Sequence, residues 1–248
     1  MLLRQQAVRK AALWKKKAVD WKGDLLHLMF PNSCLVCHAE LPASLVHICP
    51  VCESELDLTY FESYAEATVL DKLFWGRVEV QTTAAMLHFQ KEGGTQAILH
   101  AIKYQGNVDL ALEMGARFGR RLLEQEKYAD IDALVPVPLH PKKKYLRGYN
   151  QSELIAQGIA SATHIPLRSD LLTRGVHTES QTKKGRFMRW DNVADIFYVS
   201  QAQEGLPKHI ALVDDVVTTG ATLEACIRKI SAQWPEIRIS VLSLAVAK

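Results

Sequence analysis

Two adjacent aspartates, Asp214 and Asp215, follow a short apolar run, and this pair constrains the fold of the chain more than any other feature. The four preceding residues, 210–213, are all apolar and include β-branched side chains. Such a run favours a central parallel strand that is buried on both faces. The pattern therefore predicts a strand that presents two carboxylates at its carboxyl end.

The residues that follow the aspartates predict an anion site. Backbone amides and the positive end of a helix that is expected to begin near Leu223 converge on this turn. A glycine in the turn allows close approach by a phosphate, and threonine hydroxyls add neutral donors. The turn consists of Thr218, Thr219, Gly220, Ala221 and Thr222. Because carboxylates do not bind phosphate, the aspartates are better suited to ribose hydroxyls or to a magnesium ion.

The motif has two other interpretations. One is an ordinary strand followed by a capped helix, with no ligand. The other places Asp214 on magnesium in a nucleotide-hydrolysing site, which requires a G-x-x-x-x-G-K-[ST] loop upstream. The sequence contains no such loop, so a ribose-phosphate site is the favoured interpretation.

Composition limits the class of protein. The chain has 248 residues, 48% of them hydrophobic, and a formal net charge of +3. This content is ample for a core, while the charge is compatible with anionic ligands but does not by itself indicate nucleic acid. No apolar run approaches the ~20 residues needed to span a bilayer, and the first residues do not resemble a signal peptide. We therefore expect a cytoplasmic protein without a transmembrane segment.

Strands alternate with helices from residue 78 onwards, which predicts an α/β fold with a mostly parallel sheet flanked by helices. Predicted strands lie at 78–89, 131–137, 171–174, 196–199, 210–213 and 238–247, and predicted helices at 95–104, 109–126, 151–163 and from 223. We expect four regions: a basic amphipathic helix at 1–30, a cysteine-rich module at 31–60, a connecting segment at 61–77 and the α/β domain at 78–248. The basic helix suits contact with a nucleic-acid backbone or an anionic membrane surface, or else packing of its apolar stripe on the rest of the protein.

Four of the five cysteines form two close pairs. Each C-x₂-C pair can direct two thiolates at one ion, and two such pairs complete a closed four-sulfur site that is typical of structural zinc. The predicted ligands are Cys34, Cys37, Cys49 and Cys52. A pair of redox dithiols is the alternative interpretation. The fifth cysteine, Cys226, lies at an apolar position and is expected to pack in the core.

A second cationic segment follows the predicted strand at 131–137. Residues 135–141 read Val-Pro-Val-Pro-Leu-His-Pro and lead into Lys142, Lys143, Lys144 and Arg147, ahead of a helix at 151. Cations before a helix amino terminus form an anion site, although such a run can also be a solvated face. A polar segment at 181–187, which includes Lys184, is expected to be either a mobile lid or a plain surface loop.

The aspartate motif resembles the signature of type I phosphoribosyltransferases, which bind 5-phosphoribosyl-1-pyrophosphate (PRPP) with magnesium. That resemblance implies that Asp214 and Asp215 hold the ribose hydroxyls and that residues 218–222 hold the 5′-phosphate. It also implies that the loop with Val137, Pro138 and Arg147 binds pyrophosphate. Arg147 is the best single candidate, since a guanidinium binds phosphate oxygens in pairs. Catalytic roles are implied for Asp214, Asp215, Arg147 and Lys184.

The cysteine pairs, the V-P-V-P-L-H-P and R-G-Y-N-Q stretches, the Q-T-K-K-G-R-F segment and the aspartate motif together resemble the ComF/GntX family over residues 25–248. This resemblance implies a phosphoribosyltransferase-like domain behind a zinc-ribbon-like module, and a link to DNA uptake in natural transformation. An enzyme of this kind would transfer phosphoribosyl to a nitrogen acceptor that the sequence does not identify. The alternative is a non-catalytic phosphate-sensing adaptor that binds single-stranded DNA or proteins of the uptake machinery.

Overall fold

The computed structural model describes residues 32–42, 45, 47–175, 196–200 and 205–247. The chain divides into two compact units, Met1–Leu56 and Asp57–Lys248. The basic helix predicted for residues 1–30 and the lid predicted at 181–187 lie outside the described residues. Within the part of the chain that is described, no helix combines the length and apolar character needed to cross a membrane.

The described residues of the smaller unit form hydrogen-bonded turns around the cysteines. An isolated antiparallel bridge joins Ser33 to Glu40, and the backbone between them turns tightly, with His38 in the left-handed region at φ 60°. A short helix, α1 (Pro50–Ser54), begins directly after Cys49, whose side chain caps it. Hydrogen-bonded turns therefore fix the backbone conformation at the cysteines.

The larger unit alternates helices and strands. Its described elements in chain order are α2 (Val69–Lys72), β1 (Thr83–Phe89), α3 (Gly94–Tyr104), α4 (Val108–Leu123), β2 (Ala133–Pro136), α5 (Pro141–Arg147), α6 (Gln151–Thr163), β3 (Leu172–Arg174), β4 (Phe197–Val199), β5 (His209–Val217), α7 (Ala221–Gln233) and β6 (Arg238–Ala247). A short 3₁₀ turn at Phe61–Ser63 precedes α2, and another at Glu126–Tyr128 lies between α4 and β2.

Four strands form one parallel sheet in the order β1-β6-β5-β2. The predicted α/β fold with a helix-flanked parallel sheet is thus confirmed. The long strand β5 lies between β2 and β6, with the pairs Val213–Pro136 and Asp214–Ser243 in register. Its first five residues are buried, as expected of a strand with layers on both faces. The carboxyl ends of all four strands meet at one edge of the sheet.

Strands β3 and β4 form a separate antiparallel pair. Phe197 and Leu172 of this pair join the core cluster that includes Ile227 of α7 and Leu212 of β5. The pair is therefore an additional layer that is packed onto the α/β core rather than a continuation of the sheet.

The cationic segment after β2 differs from its prediction as a loop, because residues Pro141–Arg147 form the helix α5. Pro141 stands at the start, His140 Nδ1 accepts a hydrogen bond from the Lys142 amide at 3.2 Å, and Gly148 ends the helix. These are ordinary start and stop signals. The helix has no buried residue, so the apolar periodicity that reveals a packed helix is missing from its sequence.

Two glycines allow α4 and α6 to cross in near-contact. A Cβ built on Gly158 would lie 2.2 Å from the Leu112 carbonyl oxygen, and one on Gly115 would lie 2.2 Å from the Ile155 carbonyl oxygen. Both obstacles are backbone atoms, which cannot move without shifting a helix. The crossing therefore fixes the position of α6, whose first turn reaches the aspartate motif.

Gly158→Ala should destabilise the protein by about 3 kcal/mol or more, because the added methyl group overpacks a backbone contact. For a chain of this size that loss lowers Tm by roughly 6–12 °C, measured by circular dichroism. Gly93→Ala is the matched control, since its Cβ would approach no atom closer than 3.5 Å. Equal shifts in the two variants would contradict the close helix crossing.

Candidate functional site

The two aspartates lie near the carboxyl end of β5 and have different partners. Asp214 Oδ1 accepts hydrogen bonds from Ser152 Oγ at 3.0 Å and from the Asp215 amide at 2.9 Å. Asp215 is buried, and its Oδ2 lies 3.1 Å from Lys103 Nζ. Successive residues of a strand point to opposite faces, so the pair draws on α6 and α3 separately.

Lys103 was not identified from the sequence. It is the penultimate residue of α3, and its side chain is only 19% exposed. An ammonium group at this distance compensates a buried carboxylate whose desolvation would otherwise be costly. A single lysine near the end of a helix gives no recognisable sequence signal, because lysine is also common there for the helix dipole alone.

Burial raises the pKa of Asp214 to about 7, and the charge of Asp215 adds to the effect. The Asp215 amide, the Ser152 hydroxyl and Lys103 act in the opposite direction. Asp214 therefore changes between a neutral acid and a carboxylate close to neutral pH. In its ionised form it accepts hydrogen bonds only, which suits hydroxyl donors of a sugar.

The turn after β5 leads directly into α7. Gly220 has φ 73° and precedes the first helical residue, Ala221. A Cβ at Gly220 would be strained by this φ and would lie 3.2 Å from the Phe74 ring. The other four turn residues, Thr218, Thr219, Ala221 and Thr222, are exposed to solvent. The turn thus offers amides and hydroxyls at the amino end of a 13-residue helix.

Arg77 stabilises this turn through hydrogen bonds to its backbone and to the first turn of α7. Its guanidinium donates to the carbonyl oxygens of Leu73 at 2.8 Å and Thr219 at 3.0 Å, and it pairs with Glu224 in the first turn of α7. Arg228 donates to the other Glu224 oxygen at 2.9 Å and to the Arg77 carbonyl at 2.8 Å. The anchoring network leaves the opposite side of the turn, with its threonines, facing solvent.

The predicted pyrophosphate loop begins beside the aspartates. The Val137 amide donates to the Val213 carbonyl at 2.9 Å, and the Val137 carbonyl accepts from Asn150 Nδ2 at 3.0 Å. Asn150 also caps α6 through the Ser152 amide at 3.2 Å. Pro138 is half-buried next to Val137. The structure thereby brings Val137 and Pro138 to the edge of the sheet where Asp214 lies.

Arg147 is held at the junction of α5 and α6. Its guanidinium donates to Gln151 Oε1 and lies 5.1 Å above the Tyr104 ring. The neighbouring Tyr149 hydroxyl donates to the Ile102 carbonyl. The end of α3, residues 102–104, therefore contacts both the aspartate pair, through Lys103, and the cationic segment. Lys184, the fourth predicted catalytic residue, lies outside the described residues.

The four cysteines of the smaller unit converge on one point. Their sulfur atoms all lie within 4.8 Å of one another, and Cys37 Sγ is 3.7 Å from Cys49 Sγ. A tetrahedral ion with Zn–S bonds of about 2.3 Å would separate its sulfurs by about 3.8 Å. All four cysteines are free thiols, so the cluster could hold a metal ion such as zinc.

Electrostatics within the cluster also suit a cation. Burial tends to raise the pKa of Cys34, but hydrogen bonds from the Cys37, Cys49 and Val36 backbone outweigh it and lower the pKa to about 6. For Cys52, burial and the neighbouring sulfurs raise the pKa. Several thiolates in such close proximity repel one another unless a positive ion lies between them.

Comparisons with known proteins identify relatives along most of the chain. No protein-family model matches. The chain is 36% identical to "Competence protein F" of Haemophilus influenzae over 93 residues, which is 37% of this chain and 41% of that protein. It is 28% identical to "DNA utilization protein YhgH" of Escherichia coli over 129 residues, 51% of this chain and 56% of that protein.

A third relative extends the similarity to nearly the full length. "Competence protein ComFC" of Bacillus subtilis is 24% identical over 233 residues, 91% of this chain and 89% of that protein. The matches to the first two relatives span about half the length of each. These relatives, together with the cysteine pairs and the aspartate motif, support membership in the ComF family.

Proposed function

We propose that this protein binds PRPP with magnesium at the carboxyl edge of its parallel sheet. The observation that supports this most strongly is the arrangement around Asp214 and Asp215. One carboxylate is held by a hydroxyl and the other by Lys103, beside a helix-capping turn rich in threonine. Carboxylates next to an anion-binding turn match a ligand with sugar hydroxyls adjacent to a phosphate.

In this proposal the larger unit has a type I phosphoribosyltransferase fold, and different residues bind different parts of PRPP. Asp214 and Asp215 accept hydrogen bonds from the ribose hydroxyls. Residues 218–222 donate amides and hydroxyls to the 5′-phosphate. Val137, Pro138 and Arg147 lie toward the pyrophosphate, and Arg147 must leave Gln151 and Tyr104 to bind it. Magnesium, when bound with PRPP, would neutralise charge on the pyrophosphate.

The reaction that follows is a phosphoribosyl transfer. A nitrogen nucleophile forms a bond to C1 of the ribose while the bond from C1 to the pyrophosphate oxygen breaks, and pyrophosphate departs with the electron pair. Positive charge develops on the ribose ring in the transition state. The ionised aspartates stabilise that charge, while cations of the α5 segment stabilise the leaving group.

The ComF family membership supports a role in DNA uptake. Two of its relatives are named competence proteins, and another is named a DNA utilization protein. We propose that this chain likewise acts in natural transformation, in the cytoplasm, where PRPP is available. Its direct partners in that role would be single-stranded DNA or proteins of the uptake machinery.

Helix α5 favours single-stranded DNA as a partner. Its side chains Tyr145 and Leu146 are 88% and 82% exposed, the highest values among the large apolar residues of the described chain. Lys142, Lys143 and Lys144 precede them and are also exposed. Aromatic side chains among cations bind single strands by stacking on bases and pairing with phosphates. The stacking tyrosine is not a predicted PRPP ligand, so the two functions would share the cations of α5 but not the stacking surface.

The PRPP proposal is tested by calorimetric titration of PRPP with magnesium. Asp214→Asn combined with Asp215→Asn should abolish binding without unfolding the chain, whereas the exposed Asp109→Asn should bind like wild type. Since Asp214 has a pKa of about 7, its ionised fraction rises about tenfold between pH 6 and pH 8. The affinity for PRPP should therefore rise over this pH range in the wild type but not in Asp214→Asn. Unchanged affinity in the double variant would refute the ribose assignment.

Arg147→Gln separates the two ends of the ligand. It should weaken PRPP binding while leaving ribose-5-phosphate binding intact, because only PRPP has a pyrophosphate group. Equal losses for both ligands would remove Arg147 from that role.

We also propose that the four cysteines hold structural zinc. Cys34→Ser should lose the metal and unfold the smaller unit, since structural zinc in small modules contributes about 10–16 kcal/mol of apparent binding free energy. Metal content of the purified full chain, measured by mass spectrometry, checks this. Cys226→Ser is the matched control, because that thiol is buried in α7. Stoichiometric zinc in Cys34→Ser would contradict the site.

The DNA proposal predicts that Tyr145→Ala weakens binding of a fluorescent oligothymidylate by roughly 5- to 150-fold, the loss of one stacked base at about 1–3 kcal/mol. Tyr64→Ala is the control, since Tyr64 is 50% exposed but lies far along the chain from the lysines. Fluorescence anisotropy at several salt concentrations measures both. Equal affinities for wild type and Tyr145→Ala would exclude α5 as the stacking surface.

A further inference from the structure

A groove of ≈ 530 Å³ lies next to the edge strand β2. The segment after β2, the helix α5, the first turn of α6 and the strand β3 form its walls. Most of the wall is apolar, and the residues used below are Pro136, Pro138, Leu139, Lys144, Leu172 and Arg174. Its volume falls within the range of small-molecule sites, roughly 300–1,000 Å³.

The groove adjoins the aspartate pair. Pro136, on its floor, is the register partner of Val213, the residue before Asp214. Asn150, on its wall, caps the helix turn from which Ser152 donates to Asp214. A molecule in the groove would therefore lie beside a ribose that is held by Asp214.

Arg174 lines the groove, and no carboxylate of the described residues pairs with its guanidinium. Its Nε atom is buried and has no hydrogen-bond partner among the described residues, while its guanidinium carbon lies 5.3 Å from the centre of the Phe197 ring. The other cation of the wall, Lys144, has Glu153 at 3.8 Å, and Glu153 also accepts a hydrogen bond from Ser169 at 3.0 Å. The one carboxylate of the wall is thus already engaged.

The electrostatic potential around Arg174 is positive, as the neighbouring His140 shows. Besides burial, the charges of Arg174, Lys142 and Lys143 lower the pKa of His140, the cap of α5. A buried N–H donor without a partner is rare in folded proteins, since it forfeits its hydrogen bond to water. An anion that enters the groove would supply that partner and would compensate the guanidinium charge.

We propose that this groove binds a small molecule that consists of an apolar ring and one anionic group, with the anion on Arg174 and the ring against Pro138, Leu139 and Leu172. The anion is a carboxylate or a phosphate, since both accept hydrogen bonds from a guanidinium in pairs. That this molecule is the acceptor of the phosphoribosyl group rests on the proposed function, but its binding does not.

The test uses the full zinc-loaded chain and three simple probes: benzoate, phenyl phosphate and the neutral isostere benzamide. Calorimetry should give at least tenfold tighter binding for one of the two anions than for benzamide, and the tighter anion identifies the charged group. In Arg174→Met, this selectivity for the anion should fall to about one while benzamide affinity is retained. The matched control Arg168→Met removes an arginine that pairs with Asp170 at 2.8 Å, and it should bind like wild type.

A nitrogen-15 NMR titration keeps the proposal testable where Arg174→Met does not fold. Benzoate or phenyl phosphate should shift an arginine Nε–H resonance of the wild type, and benzamide should not. Equal affinity for charged and neutral probes, no binding of any probe, or an equal loss in Arg168→Met would overturn the proposal. PRPP titration of the same samples is a separate readout. Anion binding without PRPP binding would refute the proposed function and support the groove proposal. PRPP binding without anion binding would support the proposed function and refute the groove proposal.

Discussion

The compensation of two neighbouring carboxylates on a buried strand is the physical requirement on which the rest of the larger unit depends. Asp215 is compensated by Lys103 of α3, and Asp214 by Ser152 of α6 together with a backbone amide. Each partner is in place only because its helix is packed accurately against the sheet. The crossing of α4 and α6 at Gly115 and Gly158 provides that accuracy for Ser152.

The burial of Asp214 also makes its ionised form unfavourable in the folded protein. The folded pKa of Asp214 is raised from 3.8 to about 7, so its contribution favours the folded state at low pH and is lost as the pH rises through about 7. A ligand whose hydroxyls donate to the carboxylate would recover that loss. In the proposed function, the hydroxyls of a bound ribose would therefore stabilise the site.

Much of this arrangement was predictable from the sequence, and the failures have physical reasons. The strand at 238–247 and the helix at 151–163 have the predicted bounds, because a continuous apolar run and a capped, periodic helix are strong local signals. The cysteine spacing likewise predicted that the four sulfurs would meet. Helix α5 was predicted as a loop because none of its residues is buried, so its sequence lacks the apolar periodicity of a packed helix.

Partners that come from distant parts of the chain were not predictable in this way. Lys103 and Asp215 are far apart in sequence, as are Arg77 and Thr219, and Arg174 is recognisable only by the groove around it. Local sequence specifies a strand, a turn or a cap, whereas these contacts depend on the order of strands in the sheet. Lys103 and Arg77, which stabilise the aspartates and the turn after them, are therefore not part of the sequence motif itself.

The last turn of α3 has a consequence for how two ligand groups would be bound. Lys103 of this turn contacts Asp215, the adjacent Tyr104 lies under Arg147, and the Ile102 carbonyl accepts the Tyr149 hydroxyl. A group that draws Arg147 away from Tyr104, or that alters the charge on Asp215, acts on the same few backbone atoms. We expect affinities at the two ends of the site to be thermodynamically linked through this single helix turn, so that occupancy of one end changes the affinity of the other.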